Sequence, residues 1–265
     1  MPPQTTLAEL VISAKRADPR RRQLPLWPEL KHAIPTDFVQ SALFTARHER
    51  DRVEVKRQIV ASAVGLIIEY DGCLLTQNHA DVWERLMYRC RVAKTTRIEF
   101  RARSMLLEIA GGGRRKLGGS QYEQLFHRLE DLARSHVTVQ HLATGELFIG
   151  GLMTMRWRPD ETYEVTVPED IVHLFHERHV VFDWDQRSQI RGQLARWLHH
   201  YFAATAAPVT LAEIRRLSDA QTRDIHRFRA ALRAALAELV RREVLTGWSM
   251  ERDLVTVERG KLLGR

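Results

Sequence analysis

Arg223-Asp224-Ile225-His226-Arg227-Phe228-Arg229-Ala230-Ala231-Leu232-Arg233-Ala234-Ala235-Leu236-Ala237-Glu238-Leu239-Val240 is the stretch that decides the fold of this chain. At roughly 100° per residue, Phe228, Leu232, Leu236, Leu239 and Val240 fall within about 60° of Ile225, so a helix over residues 223–243 carries one apolar stripe. Arg223, Arg227, Ala230 and Ala234 lie near the opposite side, and Arg229 and Arg233 are further candidate DNA contacts on the same helix. A helix that enters a DNA major groove needs that mixture. Alanine allows close approach to the groove floor and to a thymine methyl, while arginine reaches guanine or phosphate.

The flanking residues complete a pattern. Residues 192–207 form a helix burying Leu194, Trp197, Leu198, Tyr201 and Phe202. Residues 210–217 form a second, capped by Thr210 with Glu213 at the box position. After the third helix, residues 245–257 supply two short strands around a polar turn at residues 251–253. Three helices followed by a β-hairpin make a winged helix.

The same order stands earlier in the chain. Residues 53–76 are rich in β-branched side chains and contain Asp71-Gly72 between apolar runs, which predicts a hairpin turning there. Helices are expected over 79–92, 103–110 and 120–134, then strands over 137–142, 147–157 and 163–167. The fold class is therefore α+β with two tandem winged-helix domains, at 27–180 and 181–265, joined by a linker at 180–186. Residues 1–26 read as a flexible N-terminal segment, with a short helix opened by Thr6-x-x-Glu9 and a joint at Asp18-Pro19-Arg20-Arg21-Arg22.

Charge agrees with a polyanionic partner. The net charge is +8, and the basic residues comprise 35 Arg against 6 Lys. Residues 85–116 carry ten basic side chains and two acids; residues 215–242 carry eight and three. Two separated basic surfaces fit one polyanion touched at two places. No apolar run approaches the ~20 residues of a membrane helix. Two cysteines, Cys73 and Cys90, are too few for a disulfide framework, which points to a reducing cytoplasm.

The first unit's candidate DNA contacts surround the turn Gly111-Gly112-Gly113-Arg114-Arg115-Lys116-Leu117-Gly118-Gly119. Arg103, Arg114, Arg115 and Lys116 are placed to meet phosphate, and Ser120 is expected to cap the next helix. Gln121, Gln124 and Arg128 project from that helix toward base edges. The turn is no nucleotide P-loop, because no lysine stands between Gly118 and a Ser or Thr. Metal chemistry fares no better. His176 and His179 are one residue short of the spacing that puts two imidazoles on one helix face, with His173 beside them. Adjacent His199 and His200 next to Tyr201 lack the spacing of an origin-nicking site, and Trp83, Trp157, Trp184 and Trp197 read as core. The expectation is a non-enzymatic protein with no cofactor and no metal.

Leu24-Pro25-Leu26-Trp27-Pro28-Glu29, Ala33-Ile34-Pro35, Ser41-Ala42-Leu43-Phe44, Asp81-Val82-Trp83-Glu84, Ala102-Arg103-Ser104, Trp184-Asp185-Gln186-Arg187, Ala195-x-Trp197-Leu198-His199 and Arg227-Phe228-Arg229 together resemble the TrfA family of plasmid replication initiators over residues 24–245. The resemblance implies two winged-helix domains binding repeated origin sites (iterons) in double-stranded DNA, with opening of adjacent A+T-rich DNA whose single strand is a further ligand. It also implies recruitment of a host initiator, replicative helicase and sliding clamp, and a self-dimer. Clamp docking in such initiators uses a Gln-Leu-x-Leu-Phe peptide, which Gln23-Leu24-Pro25-Leu26-Trp27 resembles with Trp in place of Phe. Trp27 has the alternative of stapling this segment onto the first domain. The other functions weighed are a transcriptional or copy-number repressor with the same fold and a Tyr-dependent nicking enzyme.

Overall fold

A computed structural model describes residues 23–49, 53–112, 116–222 and 224–260. Residues 1–22, and with them the expected N-terminal helix and joint, lie outside the described residues. The chain forms β1 (Lys31–Pro35), a single turn α1 (Thr36–Val39) and β2 (Phe44–Thr45), which runs parallel to β5 (Leu75–Thr76). β3 (Glu54–Val60) and β4 (Leu66–Cys73) pair antiparallel. Then follow α2 (Gln77–Ala93), β6 (Arg97–Arg101), α3 (Ala102–Ile109) and α4 (Gly119–Arg134). β7 (His136–His141) and β8 (Leu147–Gly151) complete a four-stranded sheet in the order β3-β4-β7-β8. β9 (Thr154–Trp157) and β10 (Thr162–Thr166) join β6 in the order β6-β10-β9.

After α5 (Glu169–Glu177), β11 (His179–Asp183) and α6 (Trp184–Gln189), the order repeats. α7 (Gln193–Ala204), β12 (Val209–Thr210), α8 (Leu211–Ser218), α9 (Ile225–Arg241), β13 (Leu245–Glu251) and β14 (Leu254–Arg259) follow, with the sheet ordered β12-β14-β13. Both passages run helix, strand, helix, helix, strand, strand, and in both the last strand lies in the middle of its sheet. They differ in that the first inserts β7 and β8 between its third helix and second strand. The mixed α+β class expected from the sequence stands.

Local chemistry explains the helix boundaries. Thr76 accepts from the Asn78 N–H while His79 Nδ1 accepts from the Thr76 N–H at 3.0 Å, closing both ends of a capping box before α2. Thr210 accepts from the Glu213 N–H at 3.2 Å and Asp224 from the Arg227 N–H at 2.8 Å, starting α8 and α9. Phe228, Leu232, Leu236 and Leu239 then face fully inward.

Four expectations are corrected. The hairpin does not turn at Asp71-Gly72; the chain reverses over residues 61–65, and Gly72 sits within β4. Glycine is needed there because φ is +137° and an added Cβ would lie 3.1 Å from Tyr70 Oη and 3.3 Å from Ser135 Cα. The strand expected over 147–157 breaks at buried Leu152 and Met153, which carry the chain from one sheet to another. Residues 180–186 are no loop, since β11 pairs antiparallel with β1 and Phe182, Trp184 and Arg187 are buried. Their alternation was hidden among histidines and charges. Finally, Ser120 is not the cap of α4: Gly118 holds that position, and Gln121 Oε1 accepts the Gly118 N–H at 2.9 Å.

Candidate nucleic-acid interface

α9 keeps its outer face bare. Arg227, Ala230, Arg233 and Ala234 are all exposed, with Arg227 beside Gln221, Thr222 and Asp224 at the helix start. Arg229 differs: half-buried, it pairs with Asp253 in the β13–β14 turn and ties the hairpin to the helix. Arg223 lies outside the described residues.

α4 presents a more occupied face. Ser120, Gln121 and Gln124 are exposed, but Gln121 bonds back to Gly118 and Gln124 Oε1 accepts from Arg128 Nη2 at 3.4 Å. The Arg128 side chain, 14% exposed, forks onto Glu49 at 2.7 and 2.8 Å. That bidentate pair holds Arg128 against the protein, contrary to its expected reach toward base edges. Arg103 and Lys116 are exposed, while Arg114 and Arg115 lie outside the described residues.

Residues 45–49 form a strap that sequence reading missed, because it has no periodicity and its partners are remote. The Ala46 N–H donates to Ser218 O at 2.8 Å, and Arg47 Nε lies 2.6 Å from Asp219 Oδ2, anchoring one end on the α8–α9 turn. Glu49, bound to Arg128 and to Asn78 Nδ2 at 2.6 Å, anchors the other on α4 and α2. The strap thus joins the two helix pairs.

Several residues quoted in the sequence resemblance meet at a buried junction between α2, α6 and α7. Arg187, wholly buried, donates from Nε to Asp81 Oδ1 at 3.0 Å and from Nη2 to Gln77 Oε1 at 2.9 Å. Arg196 Nη1 reaches Asp81 Oδ2 at 3.0 Å and Asn78 Oδ1 at 2.9 Å. Beneath them His200 Nε2 lies 3.1 Å from Glu84 Oε1 without hydrogen-bond alignment. Burial raises the Glu84 carboxyl well above its ordinary range, against the opposing pull of Arg187. Burial likewise drives His199 and His200 well below theirs, with neighbouring positive charge adding to it. Tyr201 stacks on Trp197 at 5.0 Å between ring centroids. Burial thus disfavours the charged forms of Glu84, His199 and His200.

Among the described residues, no group of three or more His, Cys, Asp or Glu side chains is placed to hold a metal ion. His176 Nε2 donates to Gln23 O at 2.9 Å and His179 Nδ1 lies 2.7 Å from Phe175 O; both hold backbone. No described helix is long and apolar enough to cross a membrane.

The expected clamp peptide is not presented as one. Leu24 and Trp27 are buried, Trp27 stacks on Phe175 at 5.7 Å, and its Nε1 donates to Lys31 O at 2.8 Å. Gln23 and Leu26 remain exposed. Docking through Leu24 and Trp27 would strip two apolar side chains from the core, so the segment is a staple.

The TrfA protein family matches the chain over residues 20–259. No curated protein matches it. Among solved structures, domains 2 and 3 of RctB superpose with a TM-score of 0.56 at 12% identity, covering 85% of this chain and 98% of that one. The Pi initiator protein, solved in complex with iteron DNA, superposes with a TM-score of 0.51 at 13% identity, covering 68% and 94%. At these identities the likeness is one of fold.

Proposed function

The chain belongs to the TrfA protein family, and from that premise we propose that it is a plasmid replication initiator binding repeated origin sites in double-stranded DNA. The observation that carries the reading is the repeated element order, whose second copy has as its third helix α9, with a bare Arg/Ala outer face. In this reading residues 27–180 and 181–265 are two winged-helix domains, with α4 and α9 as recognition helices and the β9–β10 and β13–β14 hairpins as wings. The Pi initiator, of like fold, was solved with iteron DNA, which supports duplex DNA as the ligand. Binding positions the protein beside A+T-rich DNA, which it opens without catalysis, metal or cofactor before the host initiator and helicase arrive. It acts as a cytoplasmic, plasmid-associated protein.

The test is to select bound duplexes from a random pool and locate the site in the protein's own replicon. Direct repeats beside an A+T-rich tract are the expected result. A lone operator palindrome would make the protein a repressor, and no selected site at all would remove DNA recognition. EDTA should leave specific binding unchanged.

A further inference from the structure

The strap, assigned by sequence to the first unit, lies against the second unit's helix pair. Between it and α9 opens a cleft of about 610 Å³. Ala231 and Ala234 of α9 line it together with Arg47, His48, Arg191 and Arg241. The small side chains leave room for a ligand; the basic ones set its charge. One acid lines the cleft, Glu238, but it is bound to Arg241 and Arg242 and accepts the Arg191 N–H at 3.2 Å. Arg191 is exposed, and among the described residues its guanidinium has no acidic partner. Arg191 also borders a second groove with Gly111, Gly112 and Arg242, on the side of the first unit's glycine turn.

We infer that this cleft is a phosphodiester-binding site in which Arg191 seats the DNA backbone where the duplex passes from one recognition helix to the other, since Arg47 pairs with Asp219 and Arg241 with Glu238. The inference rests on the proposed DNA-binding function. Its place follows from the strap, which is anchored on the α8–α9 turn at one end and on α4 at the other. The recognised group is a backbone phosphate, so the contact adds affinity without sequence preference. It also fixes the spacing of the two helices along the DNA, because the strap holds both.

Arg191→Ala isolates the contact, since the Arg191 N–H to Glu238 survives the substitution. Affinity of the full chain for its selected duplex is measured against salt. Each lost phosphate contact makes the slope of log K against log salt shallower by about 0.9, for specific and random duplexes alike. Arg191→Lys keeps the charge and should keep most of the slope. Neutral methylphosphonate is then placed at each backbone position in turn; one position should weaken the wild-type protein and leave Arg191→Ala unaffected. An unchanged slope for Arg191→Ala, or no such position, overturns the site while leaving DNA binding intact. Wild-type affinity that does not vary with salt would instead overturn the functional reading.

Discussion

The two helix pairs share an element order but not a surface state. In the second, α9 exposes Arg227, Ala230 and Ala234 with its cap made by Asp224 alone. In the first, two of α4's candidate contacts are engaged within the protein, Gln121 with Gly118 and Arg128 with Glu49. The difference teaches that a repeated fold need not repeat a role. The second helix has side chains free to read bases, whereas the first is braced by the strap that fixes its position against the second. On this account sequence discrimination is concentrated on α9, and α4 contributes positioning.

Breaking the bracing should have the largest effect. Arg187→Ala leaves Asp81 buried with one of its two guanidinium partners gone, and losing one member of a buried pair costs about 3–5 kcal/mol. Denaturant unfolding of the folded variant measures it; a loss below about 1 kcal/mol would mean that the junction does not hold the units together.

The next effects separate the helices directly. Arg227→Ala should cost about 1–3 kcal/mol on the selected site and relax preference at one base position. Arg128→Ala should change affinity by the same factor on every sequence, with no base position relaxed, because its guanidinium is engaged with Glu49. Binding of both variants to a panel of single-base site mutants distinguishes them. Relaxed preference in Arg128→Ala would show that the ion pair opens on DNA.

How much of this was legible differed by kind of contact. The faces of α7 and α9 followed from helical periodicity, since each buries one stripe against its neighbours. The junction did not, because Asp81 and Arg187 stand 106 residues apart and each looks like a surface charge in its own segment. The strap failed for the same reason. Asp71-Gly72 misled in the opposite sense: a local turn signal marked a glycine required by close approach to Tyr70 and Ser135. Arg128 lay on the expected face of α4, but nothing nearby in sequence announced Glu49.

The smallest effect concerns pH. Burial lowers His32 to about 2, with Arg85 adding to it, and holds His199 and His200 well below 6.5, while it raises Glu84 well above 4.5. Between those two ordinary values the unfolded chain takes up protons on these three imidazoles more readily than the folded chain, while the folded chain holds the Glu84 proton more readily. The lowered imidazoles therefore make stability fall as pH drops below 6.5, and the raised Glu84 carboxyl opposes that fall, because it favours the folded state as pH drops toward 4.5. Melting temperatures should fall as pH drops from 6.5 toward 4.5, and Glu84→Gln, which removes the opposing group, should make that fall steeper. A Glu84→Gln profile that falls below 6.5 no more steeply than wild type would remove Glu84 as the opposing group.

The central claim is that the bare face of α9 enters the groove, and Ala230→Glu tests it most directly. Ala230 is exposed, so the substitution should leave the melting temperature within a degree or so of wild type, about 0.5 kcal/mol or less. A bulky anion at the groove floor should abolish binding to the selected site. Folded Ala230→Glu protein that binds that site with wild-type affinity would contradict the account and move base reading to another surface, with α4 next in line.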